Sequence, residues 1–294
     1  MSALPSTLAA GTAPRRALWR NRSWPALADV GAGLSLLVVL WFIVAAVHPS
    51  WLAPGDPLAA DRALILAPPS ATHPFGTDQI GRDVYTRVVH GARASLGLGA
   101  GAVALALGAG TLLGLAAGLG RRAVATGVMR LADIGAAFPE LLLAVFIVAL
   151  FGSSVAHAAV AIGIAGIPYY TRVVRAQVLQ VRGTAYVEAA RGLGLSPAQR
   201  VWQHVLPNAM RPVLVLATLG LGGATLAGAA LSFLGLGSPP PAPEWGAMLT
   251  NARSFLARGW WAAVFPGAAL TLFVMCTTVL GQWLQQRGEG RHAR

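Results

Sequence analysis

Long apolar stretches recur along this sequence, and they constrain its fold more than any other feature. A helix needs about 20 mostly apolar residues to cross a bilayer. Because 55% of the 294 residues are hydrophobic and only 11% are charged, the sequence predicts an all-α, polytopic membrane protein with six transmembrane helices. The candidate spans run approximately over Asp29 to Val47, Ala94 to Leu119, Leu131 to Phe151, Ala156 to Tyr170, Val213 to Leu236 and Trp261 to Leu284.

The uncharged run from Leu141 to Thr171 is too long for one helix. Gly152-Ser153-Ser154 supplies a turn that divides it into a third and a fourth span. Placing both termini in the cytoplasm puts 16 of the 22 basic residues on that side, which fits the preference of Arg for cytoplasmic loops. The predicted layout is a cytoplasmic tail (residues 1–27), a transmembrane domain (28–286) and a short cytoplasmic tail (287–294).

Several kinds of chemistry are excluded by residues that the sequence lacks. Every basic residue is Arg, so the chain has no P-loop Lys and no Schiff-base Lys. Its one cysteine, Cys276, allows neither an intrachain disulfide nor a thiolate metal cluster. The ten acidic residues and six His form no catalytic cluster and show no metal-ligand spacing. We therefore expect no catalytic or metal site, and ATP hydrolysis must belong to another polypeptide.

A polar, Arg-bearing insert between apolar runs is the candidate site of function. Within it, Ser196-Pro197-Ala198-Gln199 has the pattern of a helix start, with Ser as N-cap and Gln to complete a capping box. The pattern predicts a short helix that Pro207 ends or kinks, preceded by a turn at Gly194. Two interpretations remain open: the insert presses into a groove on a partner protein, or it lies on lipid headgroups with Trp202 as an anchor.

Residues of this insert resemble the EAA motif of ABC importer permeases. The matching positions are Glu188-Ala189-Ala190, then Gly194, then Leu206-Pro207. The general motif has an apolar residue where this chain has His204, but the dipeptide and oligopeptide branch of the family is similar to this chain there. The resemblance favours the partner-docking interpretation.

Two further segments are similar to the same branch. One is His73-Pro74-Phe75-Gly76-Thr77-Asp78 with Gly81-Arg82-Asp83, and the other is Leu231 to Gly237 with Glu244-Trp245-Gly246. Three separated motifs in the correct order make a chance match improbable. Over about Leu27 to Leu284, the chain therefore resembles the C-type inner-membrane permease of dipeptide, oligopeptide and nickel importers.

The resemblance implies a specific assembly and fold. It implies a type I ABC importer permease fold with a cytoplasmic coupling helix, a second homologous permease subunit, two ATPase subunits that hold ATP and Mg²⁺, and an extracytoplasmic solute-binding protein. This chain would hold no cofactor, would lie in the plasma (inner) membrane in contact with lipid, and would pass peptides. Its arginines flank apolar segments and form no single patch, so nucleic acid is not an expected partner. The implied ATPase-coupling residues are Glu188, Ala189, Ala190, Gly194, Ser196, Trp202, His204, Leu206 and Pro207.

Two acidic residues within apolar surroundings are candidates for the translocation path. Asp133 and Glu140 are seven positions apart, which predicts a shared helix face that attracts a peptide amine or a cation. Asp133 could instead pair with Arg130 or Arg121. The same carboxylates would serve an ion-coupled secondary carrier, which is the alternative from another class. Within the favoured class, nickel or another small solute is the alternative to di- and oligopeptides.

Two smaller patterns predict local structure. Gly110, Gly114 and Gly118 recur every four residues in the second span, as do Gly97 and Gly101 before them, which predicts a helix-packing face. Thr77 and Asp78 are the predicted caps of a helix that runs to about Arg93 at the outer membrane surface.

Overall fold

The structure, a computed structural model, describes residues 24–290, and their side chains over 28–288. Most of the predicted amino-terminal tail and half of the predicted carboxyl-terminal tail therefore lie outside the described residues, and the predicted tail boundaries stay predictions. Across residues 24–290 the chain forms twelve α-helices and no strand, with only isolated bridges such as Ala60 to Arg82. The all-α prediction is confirmed.

The helices follow one another with short connections. They are α1 (Trp24–Val47), α2 (Pro49–Leu52), α3 (Val84–Leu119), α4 (Arg122–Ala136), α5 (Glu140–Phe151), α6 (Val155–Arg182), α7 (Ala185–Gly192), α8 (Pro197–Arg200), α9 (Leu206–Phe233), α10 (Trp245–Ala252), α11 (Leu256–Gly259) and α12 (Trp261–Gly290). Two 3₁₀ turns (Arg62–Leu64 and Arg253–Phe255) and one π turn (Val201–Val205) complete the described structure.

Four helical segments are long and apolar enough to cross a bilayer: Ala28–Val47, Val84–Leu119, Pro197–Phe233 and Trp261–Gly288. The pair α4 and α5 makes a fifth if it counts as one span, although the two helices are bent by 84°. The fourth predicted span lies in α6, whose second half carries Arg172, Arg175 and Arg182. The predicted total of six spans stays a prediction.

The region between Leu131 and Phe151 differs from the prediction. It was expected to form one continuous span, but the helix ends at Ala136 and restarts at Glu140. Pro139 lies at this break, and a proline cannot continue the hydrogen-bond ladder of the preceding helix. The predicted turn at Gly152-Ser153-Ser154 is confirmed, because Gly152 has φ +89° and Ser154 caps α6 by accepting from His157 N.

The glycine face predicted on α3 is confirmed for three of its members. A Cβ built at Gly110 would lie 2.5 Å from Tyr170 Cβ, one at Gly114 would lie 2.6 Å from Val174 Cβ, and one at Gly118 would lie 2.7 Å from Val178 Cγ1. Helix α6 thus packs directly on the backbone of α3. The earlier pair does not form such a face, since a Cβ at Gly97 would meet open space.

The start of α3 also differs from the prediction. The N-cap is Asp83, whose carboxylate accepts from Thr86 N at 2.7 Å, and the helix does not begin at Thr77 or Asp78. Asp78 instead forms a buried ion pair with Arg82 at 2.7 Å and approaches Arg87 Nε at 3.6 Å. These contacts fold the segment before α3 into a compact loop. Thr77 and Asp78, the predicted caps of a longer helix, are part of this loop.

An ion pair joins the first and last described helices at one face of the membrane bundle. Asp29 near the start of α1 accepts from Trp283 Nε1 at 2.7 Å and from Arg287 Nη2 at 2.9 Å, both near the end of α12. The guanidinium carbon of Arg287 lies 3.9 Å from the centroid of the Trp283 ring. The first and last described helices are therefore adjacent and held in register at one membrane face.

Candidate functional site

The coupling segment, defined here as residues 185–207, begins with α7. Val187 and Ala190 are 7% and 5% exposed, and Val187 belongs to the apolar cluster of α6 and α9 that includes Val178. Glu188 and Ala189 lie on the opposite, exposed face. One face of α7 thus anchors the helix to the membrane domain, and the other presents a carboxylate that accepts no hydrogen bond from any described residue.

A tight turn joins α7 to α8. Gly194 has φ +83°, a conformation that side chains with a Cβ rarely adopt, and Leu195 N donates to Ala190 O at 3.2 Å. The predicted capping box follows: Gln199 N donates to Ser196 Oγ at 3.2 Å, and Ser196 N donates to Gln199 Oε1 at 2.9 Å. Gly194 and Ser196 therefore fix the angle between the two helices, and the predicted helix start is confirmed.

The prediction that Pro207 ends a short helix is wrong, and the alternative, a kink at Pro207, stays a prediction. The helix passes through Leu206 and Pro207 without a break and forms a continuous segment of 37 residues, Pro197–Phe233. A π turn at Val201–Val205 precedes the proline, and the wider turn gives room for a ring that would clash in a regular helix. Asn208 Nδ2 donates to His204 O at 2.7 Å within this irregular stretch.

Helical spacing predicts that Val201, Trp202, Val205 and Leu206 line one face of the second short helix. The structure differs, because Val205 is only 2% exposed and packs into the core, whereas Trp202 is exposed. The large exposed side chains are Leu193 at 80%, Trp202 at 69% and Tyr186 at 43%. His204 is half-buried with its ring centroid 6.4 Å from that of Tyr186. The segment presents these side chains, the Glu188 carboxylate and polar side chains such as Arg191 to the surroundings.

A second candidate site is a cavity among the membrane helices, with a volume of about 260 Å³. Helices α3, α5, α6 and α9 contribute its walls. The α9 wall consists of Gly220, Gly223, Ala224 and Ala227, which recur at helical spacing and leave space because their side chains are small. Glu140 is the one ionisable carboxylate among the described lining residues, and Tyr169 and Tyr170 line the same cavity.

The structure separates the two acidic residues that were predicted to share a helix face. Asp133 lies in α4 and Glu140 is the first residue of α5, so the 84° bend lies between them. Asp133 accepts from Arg172 Nη2 at 2.8 Å, not from Arg130 or Arg121. Glu140 lines the cavity, and Asp133 is not among its lining residues. A path role for Asp133 stays a prediction.

Sequence reasoning missed the two tyrosines and the cavity itself. Tyr170 is 4% exposed and lies between the glycine face of α3 and Gly220 of α9. The spacing of small residues on α9 indicated that another helix packs closely on this face or that the face lines an open space. It did not indicate which helix lies opposite. Among residues 24–290, no group of three or more His, Cys, Asp or Glu could hold a metal ion.

Comparison with known families agrees with the geometry. The family described as "Binding-protein-dependent transport system inner membrane component" matches residues 110–289, which is more than half of the chain and includes the coupling segment and most of the cavity. The chain belongs to this family. It is an inner-membrane, multi-pass permease subunit of an ABC importer, and the suspected relationship to dipeptide permeases is confirmed by the relatives below.

Two curated relatives match this permease over most of their length. The di/tripeptide transport system permease protein DppC of Pseudomonas aeruginosa is 41% identical over 269 residues, which cover 89% of each chain. The dipeptide transport system permease protein DppC of Alkalihalophilus pseudofirmus is 40% identical over 272 residues, covering 92% of this chain and 88% of the relative. Both relatives are named as permease proteins of transport systems and not as enzymes.

A solved structure shares the fold. The inward-facing MetNI methionine ABC transporter contains a chain that superposes with a TM-score of 0.57 at 19% identity, covering 68% of this permease and 95% of that chain. The all-α fold of ABC importer permeases is therefore shown for the shared helices.

Proposed function

We propose that this permease and a second homologous permease form the translocation path for di- or oligopeptides, driven by two ATPase subunits that dock on the cytoplasmic face. An extracytoplasmic solute-binding protein would deliver the peptide. The partners would hold ATP and Mg²⁺, and both termini of this chain would lie in the cytoplasm. The names of the relatives support the peptide assignment, since they are dipeptide and di/tripeptide permeases.

The continuous helix Pro197–Phe233 is the observation that carries the coupling part of the proposal. At 1.5 Å per residue, its 37 residues extend about 55 Å, from the coupling segment through the membrane domain. A force applied beside Ser196 would therefore reach the α9 wall of the cavity along one helical segment, by way of the π turn at Val201–Val205. A shift from 1:99 to 99:1 between two conformations of the transporter requires about 5.5 kcal/mol of differential binding. The helical segment that transmits this energy must therefore be stiff.

The exposed groups of the segment define what an ATPase cleft must offer. Leu193 and Trp202 are exposed at 80% and 69% and would require an apolar surface. The Glu188 carboxylate would require a basic side chain or backbone N–H groups. We assign docking to this surface, with Ala189 allowing close approach and Ala190, His204, Leu206 and Pro207 shaping the segment from behind.

Two other functions make different predictions. A nickel or small-solute importer would use the same coupling segment but would not respond to peptides. An ion-coupled carrier would work without ATPase partners and would use Glu140 in the cavity as its ion site.

The test is affinity purification of this chain from its native membrane in mild detergent, followed by reconstitution into proteoliposomes. We expect ATPase subunits, a second permease and a solute-binding protein to co-purify, and dipeptide uptake to depend on ATP. Uptake of Ni²⁺ and not of dipeptides would support the small-solute alternative. A folded chain that purifies alone and moves solute with an ion gradient would support the carrier.

A further inference from the structure

Helix α4 packs on the membrane bundle along one of its sides. Ala132 is 6% exposed, and a Cβ built at Gly135 would lie 2.9 Å from Pro168 Cγ of α6. Near the same end of the helix, Asp133 accepts from Arg172 Nη2 of α6 at 2.8 Å. The residues on the other side of α4 are exposed in the part of the chain that the structure describes.

The exposed side of α4 carries positive charge. Arg121 is the N-cap of the helix, Arg122 is its first residue, and Arg130 lies about two turns further on. All three are exposed, and no hydrogen bond or ion pair joins them to a described residue. Asp133 is the one carboxylate of the helix, and it is already paired with Arg172. The described residues therefore do not balance the charge of the three arginines.

Large apolar side chains lie beside these arginines on the same exposed side. Val124 is 46% exposed, Leu131 is 67% exposed and Ile134 is 62% exposed. Because an α-helix has 3.6 residues per turn, these three side chains form a stripe that adjoins the stripe of Arg122 and Arg130. The exposed side of α4 is thus divided lengthwise into an apolar half and a cationic half.

The connection to α3 indicates where α4 lies relative to the bilayer. Residues 94–119 of α3 carry no charge and extend about 39 Å, which exceeds the roughly 30 Å of a hydrocarbon core. Arg121 and Arg122 follow this uncharged run. An unpaired charge is costly inside hydrocarbon, and an exposed apolar side chain is costly in water. A helix that exposes both kinds of side chain together therefore fits the boundary between headgroups and acyl chains.

An anionic phospholipid matches this surface better than an acidic protein surface does. Its phosphate accepts parallel N–H bonds from a guanidinium group, and its acyl chains cover an adjoining apolar stripe. Amphipathic helices with arginine on the polar face bind anionic membranes through the same two contacts. Carboxylates of a protein partner would satisfy the arginines but would leave the apolar stripe to be covered by something else.

We propose that α4 is a binding site for anionic phospholipids. The arginines would contact headgroup phosphates, and the apolar stripe would contact the upper part of the acyl chains. The residues assigned to this site are Arg121, Arg122, Val124, Arg130, Leu131 and Ile134. Helix α6, on which α4 packs, continues directly to the coupling segment, so bound lipid would hold α4 against this helix. The inference goes beyond the proposed transport function and does not depend on the identity of the solute.

The experiment measures lipid contact at Thr126, an exposed residue between Arg122 and Arg130. Thr126→Cys is combined with Cys276→Ser, which removes the one cysteine of the chain, and the new thiol is labelled with bimane. The chain is purified with the subunits that accompany it and is placed in vesicles of equal parts phosphatidylglycerol and phosphatidylcholine. One lipid or the other carries a nitroxide near the top of an acyl chain, which quenches bimane on contact. Cys276→Ser alone gives the background signal.

The expected result is a preference for the anionic lipid. Half-maximal quenching should require about fivefold less spin-labelled phosphatidylglycerol than spin-labelled phosphatidylcholine, which is the contribution of about one cationic residue at an anionic surface. Arg122→Gln combined with Arg130→Gln should reduce the preference below about twofold. Replacing both arginines by Lys should retain it, and added salt should weaken it because it screens the charges.

The matched control removes two exposed arginines at the opposite end of α3. Arg62 lies in the 3₁₀ turn before α3, and Arg258 lies in α11 before α12. The hydrogen bond from Trp261 Nε1 to Thr77 O holds the start of α12 beside the loop that precedes α3. Arg62→Gln combined with Arg258→Gln should keep the full preference and the wild-type melting temperature.

Every other outcome would overturn the site. Equal quenching by the two lipids would show that the headgroup charge is not recognised. A preference that survives the loss of Arg122 and Arg130, or that the control variant abolishes equally, would show that α4 is not its source. Quenching by neither lipid would show that another protein subunit covers α4. These results leave peptide transport untouched, since the uptake assay tests it separately.

Discussion

Ser95 Oγ on α3 donates a hydrogen bond to Glu244 Oε1 at 3.2 Å, across 149 positions of sequence. The same hydroxyl accepts from Trp245 N at 3.0 Å, and the Glu244 carboxylate also accepts from Gly246 N and Ala247 N at 2.8 Å each. Glu244 is 1% exposed. One buried carboxylate therefore caps α10 and fastens it to α3, which accounts for the Glu244-Trp245-Gly246 motif in structural terms.

Replacing this carboxylate should destabilise the fold. Glu244→Ala leaves two buried donors and one half-buried donor without an acceptor, and we expect a loss of about 2–4 kcal/mol in the free energy of unfolding. Cys276 is the one cysteine and is buried, so the reaction of a thiol-sensitive dye with the purified chain during heating reports unfolding. Asp56→Ala is the control, since the exposed Asp56 carboxylate accepts from Leu58 N alone. Equal melting temperatures for the two variants would contradict the capping role.

Reversing the charge at Glu188 should uncouple the transporter without unfolding it. The side chain is exposed and has no partner among the described residues, so Glu188→Arg should leave membrane insertion and melting temperature unchanged. We expect substrate-stimulated ATPase activity in the reconstituted complex to fall at least tenfold, which corresponds to about 1.4 kcal/mol. Asp61→Arg changes an exposed carboxylate outside the coupling segment and should keep full stimulation. Undiminished stimulation in Glu188→Arg would remove this residue from the docking surface.

A methyl group at Gly114 should separate α3 from α6. A Cβ there would lie 2.6 Å from Val174 Cβ and 2.9 Å from Thr171 O, and such overpacking costs about 1–3 kcal/mol. Gly108→Ala, on the same helix, meets nothing within 4 Å and should be neutral or slightly stabilising. Thermal unfolding of both purified variants gives the comparison. If Gly114→Ala were as stable as Gly108→Ala, α3 and α6 could move apart to admit a methyl group at little cost, and the close packing at Gly114 would not be important for stability.

The turn should require glycine at position 194 because of the backbone conformation there, and not because a side chain would clash with its neighbours. Neither Gly192 nor Gly194 has an atom near a built Cβ, but only Gly194 has a positive φ, +83°. We expect Gly194→Ala to cost about 1 kcal/mol locally, whereas Gly192→Ala within α7 should stabilise the helix by about 0.5–1 kcal/mol. Hydrogen exchange over residues 185–200 should accelerate in Gly194→Ala and slow in Gly192→Ala. Equal exchange in both variants would show that the turn tolerates a side chain.

Features that depend on residues close together in the sequence were predicted correctly. The capping box at Ser196 and Gln199 formed as expected because its hydrogen bonds join residues three positions apart. The glycine face at Gly110, Gly114 and Gly118 also formed as expected, because its spacing places these residues on one side of α3 whatever packs there. Local chemistry decides both features.

Predictions failed where another contact competed with the usual role of a residue at a helix end. Asp78 has the right position to cap a helix, yet its carboxylate pairs with Arg82 and lies near Arg87, and Asp83 becomes the cap. Pro207 normally ends a helix, but the π turn before it and the packing of Val205 and Ala209 in the core keep the helix continuous. An ion pair outweighs the capping preference of Asp78, and burial of apolar side chains outweighs the helix-ending preference of Pro207.

By itself, the sequence determined that this chain is an all-helical membrane protein with an EAA segment, because the length of an apolar run, the spacing of small residues and the cap residues are all properties of a single helix. Only the tertiary structure decided which polar groups share a space. The bend after Ala136 separates Asp133 from Glu140, and the packing of α6 between two glycines leaves the Tyr170 hydroxyl without a partner in the cavity wall. Such relationships depend on the relative placement of four helices, which no local pattern specifies.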